Sequence, residues 1–437
     1  MTDNNGDERA RWTADVVARH SYGKLVAFLT ARTRDVAAAE DALSEAFASA
    51  LANWPTKGCP ANPEAWLLIT ARRKLIDGVR RQRNGEKKAE QLRILSDGLA
   101  VATADLEIPD HRLALMFACA HPALDANTRA PLMLQVVLGL DARKIAASFL
   151  TSPAAMGKRL VRAKDKIRRT GIPFHLPDQE ELPARLGSVL DAVYAIFAEG
   201  WSDPERTDST RRDFSEEAIF LGILLVELLP NEPETFGLLA LILHAEARRA
   251  ARRGADGEYV PLADQNHALW DAQMIDRAER LLRHASTLGS IGRYQIEAAL
   301  QSAHVHRCRS GHANWPDIVR LYDGLLVYCK SPVVALNRIL ALAEIQGAGA
   351  ALSAMGQIDQ DSRLSDYQPY WAARAHLLAK IGSYSEARRA YAIAIGLERD
   401  TSVRRFLLRR QAALEYCRSL PSGQNHPEAR PLPQSRA

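Results

Sequence analysis

Between residues 152 and 169 the chain reads SPAAMGKRLVRAKDKIRR, with Lys158, Arg159, Arg162, Lys164, Lys166, Arg168 and Arg169 set against one acid, Asp165. Such side chains suit one chemistry above others: they neutralise phosphates and release the counterions held there. A second stretch, RRKLIDGVRRQRNGEKKAEQLR at 72–93, sets Arg72, Arg73, Lys74, Arg80, Arg81, Arg83, Lys87, Lys88 and Arg93 against Asp77, Glu86 and Glu90. The net charge of the whole chain is only +5. The cations are therefore concentrated, as an electrostatic footprint for a polyanion requires. Two solvated helix faces would explain the charge but leave its one-sidedness unexplained.

Other chemistries fit less well. HVHRCRSGH at 304–312 offers three histidines and a cysteine. On a helix His304 and Cys308 share a face while His306 points away, and no second ligand cluster appears, so these read as surface polar residues and not as a metal site. GEYVPLADQNHALWD at 257–271 carries Glu258, Asp264, Trp270 and Asp271. General acid–base work needs a pocket and a positioned partner, and the stretch reads instead as a corner between helices held by side-chain hydrogen bonds. No P-loop, GxSxG or HExxH string occurs. The expectation is a protein that is not an enzyme, with no catalytic residue, no metal and no cofactor.

The elements that position these residues are helices throughout. Ala, Leu and Arg recur at i, i+3 and i+4, and no alternating run suggests a strand, so the fold class is all-α. With 437 residues the chain has room for two or three domains. From Asp35, an N-cap, Val36, Ala39, Leu43, Phe47, Ala50 and Trp54 form one stripe that Pro55 is expected to end, with Glu40, Asp41 and Glu45 on the exposed side. A Pro-rich loop follows, then a helix from Glu64 carrying Trp66, Leu67, Ile69, Leu75, Ile76 and Val79. Further on, Asp141 caps a helix that buries Ile145 and Phe149. Ser152 and Pro153 start the next one, on which Met156, Leu160, Ala163 and Ile167 make a narrow apolar stripe beside the cations. Two helices so closely joined have helix-turn-helix spacing, in which the second enters the major groove.

Five cysteines (59, 119, 308, 329 and 417) show no CxxC, which argues against a disulfide framework and for a reducing cytoplasm. MTDNNGDERAR has no apolar leader core. The longest apolar run, AIFLGILLVELL at 218–229, is interrupted by Glu227 and reads as a buried helix, so no membrane role is expected.

AAAEDALSEAFASALANWP followed by NPEAWLLITARRKLIDGVRRQR resembles region 2 of extracytoplasmic-function RNA polymerase sigma factors. The strings CAHPAL, IAASFL and RLVRAKDKIR resemble their region 4. The rest resembles the long C-terminal extension of one sigma-factor group, in which GSYSEARRAYAIA at 382–394 sets Gly382, Tyr384, Ala387, Tyr391 and Ala394 at tetratricopeptide spacing. The domains implied are region 2 at 10–83, a linker at 84–107, region 4 at 108–174, a helical extension at 184–290, tetratricopeptide-like repeats at 291–417 and a disordered tail at 418–437. The resemblance implies a sigma factor whose partners are core RNA polymerase, promoter DNA and a possible protein partner of the repeats. Asp41 and Glu45 would dock on the polymerase. Lys57, Asn62 and Trp66 would capture a base of the −10 element, and Arg72, Arg73 and Lys74 would hold its non-template strand. Ser152, Ala154, Ala155, Lys158, Arg159, Arg162 and Lys166 would meet the −35 duplex. The family commonly has a polar amide where Lys158 stands, which implies a phosphate contact there, and its charged DQDRSRWD-like pattern is replaced here around Asn266 and His267. The alternative is a helix-turn-helix regulator with a tetratricopeptide sensor domain, for which the 35–83 block would be superfluous.

Overall fold

The computed structural model describes residues 3–81, 110–149, 151–201 and 209–419. Every regular element among them is helical, and an isolated antiparallel bridge joins Arg253 to Tyr259. The chain divides into two compact units, 1–202 with 208–224, and 203–207 with 225–437. The expected linker at 84–107 lies outside the described residues; of the expected disordered tail at 418–437, residues 418 and 419 instead end the last helix and the rest lies outside the described residues.

In the first unit α1 (Asp3–Thr33) packs on α2 (Val36–Lys57), α3 (Pro63–Arg81), α4 (Arg112–Cys119) and α5 (Ala126–Leu138). It places Leu25, Val26, Ala27 and Leu29 in the core. Its approach to α5 is backbone against backbone: a Cβ on Gly23 would lie 2.1 Å from the Val137 carbonyl oxygen. Gly139, left-handed at φ 66°, ends α5 beneath the Tyr22 ring.

Asp35 caps α2 as expected, accepting from the Ala38 amide at 3.1 Å. Pro55 does not end this helix, which runs on to Lys57 and stops at Gly58, φ 82°. A proline in the last turn removes one hydrogen bond without halting the chain. Phe47 is only half-buried, and Ala42 and Ala46 complete the buried stripe. Short α6 (Ala142–Ser148) and long α7 (Pro153–Thr170) follow α5, then α8 (Leu182–Trp201) and α9 (Ser209–Leu228). Arg112, almost fully buried, ties α4 to the middle of α9. It grips Asp110 and Glu217 and lies 4.5 Å over the Phe220 ring.

The second unit starts its core on α10 (Pro233–Glu246), buried nearly all round, which packs on α11 (Ala272–Thr287) and α12 (Arg293–Ser310). Glu234 on α10 accepts from the Tyr294 and Gln295 amides at 2.9 and 3.1 Å, supplying the N-terminus of α12 with an acid. Between α10 and α11 lie three 3₁₀ turns, Arg249–Arg252, Leu262–Asp264 and His267–Leu269. The remaining helices, α13 (Trp315–Tyr328), α14 (Pro332–Gln346), α15 (Ala348–Met355), α16 (Gln368–Lys380), α17 (Tyr384–Leu397) and α18 (Thr401–Ser419), each pack on the next. Ala387, Tyr391 and Ala394 are buried on α17, which starts just after Gly382 at φ 81°.

Candidate nucleic-acid interface

Helix α7 has the start and stop its sequence dictates. The Ser152 hydroxyl accepts from the Ala155 amide at 3.2 Å, Pro153 occupies the first turn, and Gly171 closes the other end at φ 65°. Met156, Leu160, Ala163 and Ile167 are all buried, so one stripe anchors the helix. Lys158, Arg159, Arg162 and Lys166 are exposed, as are Ser152 and Ala154, with Ala155 half-buried. Val161, 67% exposed, stands among the cations. The preceding α6 is capped by Asp141, which accepts from the Lys144 amide at 2.8 Å, and buries Ile145.

The seven cations do not act as one set. Arg168 and Arg169 both bond Asp165, and these two guanidiniums hold its carboxyl below the ordinary range. Lys164 turns inward and pairs with Glu40 of α2, both side chains nearly buried. Arg168 also lies 3.9 Å from Asp35. Lys166 donates to the Ala123 carbonyl. Arg159, Arg162 and Lys166 form one wall of an open cavity of about 820 Å³, facing the first turn of α5 and Asp191 of α8. Asp125, whose carboxylate caps α5 by accepting from the Asn127 amide at 2.9 Å, lines the same cavity, so Asp125 and Asp191 set two acids against these cations.

The second group of candidate residues surrounds the α2–α3 loop. Trp54 is buried, and half-buried Trp66 meets it edge-on at 5.4 Å between ring centres. Asn62 caps α3, accepting from the Ala65 amide at 3.0 Å, and Lys57 is exposed at the end of α2. Arg73 and Lys74 are exposed, and Lys74 reaches Glu45 at 3.2 Å. Arg72 is a correction: it is 4% exposed, and burial lowers its pKa, so it belongs to the interior and presents no guanidinium to a strand. Asp41 and Glu45 stand exposed on α2 as expected. Glu40 does not; burial raises its pKa, and Lys164 partly offsets that.

The contact between α2 and α7 is what sequence reasoning missed. Glu40 and Lys164 are 124 residues apart, and each sits where an amphipathic wheel puts solvent. The structure brings the two candidate surfaces into one unit, joined by this pair and by the Gly23 crossing.

Comparison with known proteins fits this geometry. A model of sigma-70 region 2 matches residues 17–85, from mid-α1 through α3. A family of unknown function, DUF6596, matches residues 185–286, from α8 into α11. Uncharacterized protein R00370 of Rhizobium meliloti (strain 1021) is 39% identical over 375 residues, 84% of this chain and 88% of the relative. The chain belongs to that protein's family. It carries a sigma-70 region 2 domain at its N-terminal end, a non-enzymatic domain of sigma factors, with the DUF6596 domain behind it. No solved structure matches. Among the described residues no helix is long and apolar enough to cross a membrane.

Proposed function

We propose that the chain is an alternative sigma factor of the extracytoplasmic-function group, directing core RNA polymerase to promoters. In this reading residues 110–174 act as region 4. The observation that carries it is the pairing of a sigma-70 region 2 domain with α7, whose cation face stands on a fully buried stripe after a capped start. Asp41 and Glu45 dock on the polymerase. Trp66, backed by Trp54, offers a base a stacking wall beside Lys57 and Asn62, and Arg73 and Lys74 carry the strand. On the −35 duplex Ser152, Ala154 and Ala155 lie nearest the base edges while Lys158, Arg159, Arg162 and Lys166 meet phosphates. Val161 adds an apolar contact of the kind that suits a thymine methyl.

This function requires the first unit to open. Elements about 25 base pairs apart are separated by about 85 Å at 3.4 Å per pair, whereas Glu40 and Lys164 hold α2 and α7 in contact. Fully extended, the intervening residues 82–109 would reach at most about 100 Å, enough to span that distance. The described form is a closed one in this reading, and the polymerase separates the two halves. Helices α12–α18 serve as a tetratricopeptide-like module for a protein partner, since stacked helical pairs present extended concave surfaces.

The test is co-elution of the full chain with purified core RNA polymerase in size exclusion. The complex is expected to form and to weaken in the double variant Asp41→Lys, Glu45→Lys. A chain that elutes free of core enzyme sinks the proposal.

A further inference from the structure

Two sequence stretches with no part in promoter recognition meet at one place in the second unit. HVHRCRSGH contributes Arg307, Cys308 and Gly311, and ADQNHALW contributes His267; with Trp315 they line a cavity of about 250 Å³. The cavity owes its form to local chain geometry. Helix α12 ends at Gly311, left-handed at φ 70°, whose amide donates to the Arg307 carbonyl. That turn lets Trp315, opening α13, fold back beneath Arg307, whose guanidinium carbon lies 4.5 Å from the ring centre. On the other side the 3₁₀ turn His267–Leu269 sets the His267 ring 4.6 Å from that of Trp270.

The electrostatics of this cavity are one-sided. None of its lining residues is acidic. Arg307 has no carboxylate partner among the described residues, and its Nε is buried with no hydrogen bond. One turn earlier His304 is 2% exposed with neither ring nitrogen bonded, and its ring stands edge-on to Trp315 at 6.3 Å. Burial, then Arg307 and Arg248, push its pKa down to about 3, so the ring is neutral. A guanidinium on the wall of a cavity with no acidic lining residue, its face against the Trp315 ring, is an arrangement that suits an anion.

We propose that this cavity binds a small organic anion, its oxyanion head bonded by Arg307 and its flat apolar body lying against Trp315. Trp315 and the half-buried Cys308 supply an apolar wall, and the volume admits a body no larger than about one aromatic ring. The head is a carboxylate or a phosphate, since the guanidinium fork can donate two parallel hydrogen bonds to either. The site is independent of the promoter-recognition reading and would stand if that reading failed.

Calorimetric titration of the full chain at constant ionic strength tests it, with benzoate, phenyl phosphate and neutral benzyl alcohol as probes. Benzoate or phenyl phosphate is expected to bind, the effective one identifying the head, while benzyl alcohol does not. Arg307→Gln should weaken that binding at least about tenfold, the loss of a charge-assisted hydrogen bond. Trp315→Phe, which keeps a ring in place, should weaken it less and guards against a folding defect in the first variant. Absence of binding by both anions, equal binding of benzyl alcohol, or undiminished binding in a folded Arg307→Gln chain would overturn the assignment.

Discussion

Replacing Lys164 by Met leaves the Glu40 carboxylate alone in a place where its side chain is 13% exposed. In the intact chain burial raises the Glu40 pKa, attraction and a hydrogen bond from Lys164 lower it, and Asp41 raises it again. Because the folded value lies above the unfolded one, the protonated group's stabilising contribution is complete below the unfolded pKa and is lost as pH rises through the folded pKa. Removing Lys164 deletes the lowering influences and moves that window upward. Stranding one member of a buried pair costs about 3–5 kcal/mol, and protonation of Glu40 relieves part of it. Urea unfolding of the wild type, Lys164→Met, Glu40→Gln and the double variant at pH 5, 7 and 8.5 measures this. Lys164→Met should lose about 3 kcal/mol at pH 8.5 and clearly less at pH 5, and the double variant should recover most of the loss. A pH-independent loss, or a double variant no better than Lys164→Met, would refute the reasoning.

Arg162→Ala should weaken binding of a −35 duplex and reduce the slope of log affinity against log salt by about 0.9, one phosphate's worth; an unchanged slope removes Arg162 from the contacts. Ser152→Ala should destabilise the first unit by about 1 kcal/mol through loss of the α7 cap, read by denaturant midpoint, with Ser152→Asp restoring stability. Gly23→Ala should destabilise the same unit by several times RT, about 2 kcal/mol or more, because its Cβ meets backbone and not a movable side chain. A neutral result in the unfolding curve would contradict the α1–α5 crossing.

The parts of the fold legible in the sequence were those that short-range rules govern. Ser152, Pro153 and four apolar residues at helical spacing define α7, and Asp35 and Asp141 announce α2 and α6. What escaped depends on partners distant in the chain. Glu40 lies on the polar side of α2, and only the arrival of α7 buries it. Arg72 belongs by composition to a basic block, yet its own turn faces the interior. His304 was expected at the surface and lies in the core; the spacing Ile296, Leu300, His304 places it on the buried face of α12, a signal that its polar neighbours obscured. The corner at 257–271 is held as expected by side-chain caps, with Asn266 accepting from the Ala268 amide and Asp271 from the Met274 amide. That it would close over Arg307 and Trp315 could not be read from either stretch alone.

Run-off transcription with core RNA polymerase on a promoter selected by the full chain tests the central claim most directly. The chain should support a discrete transcript that core enzyme alone does not make, and the combined Lys158→Ala, Arg159→Ala, Arg162→Ala variant should abolish it while still co-eluting with core. Duplex binding without any transcript would contradict the account and leave a DNA-binding regulator in its place.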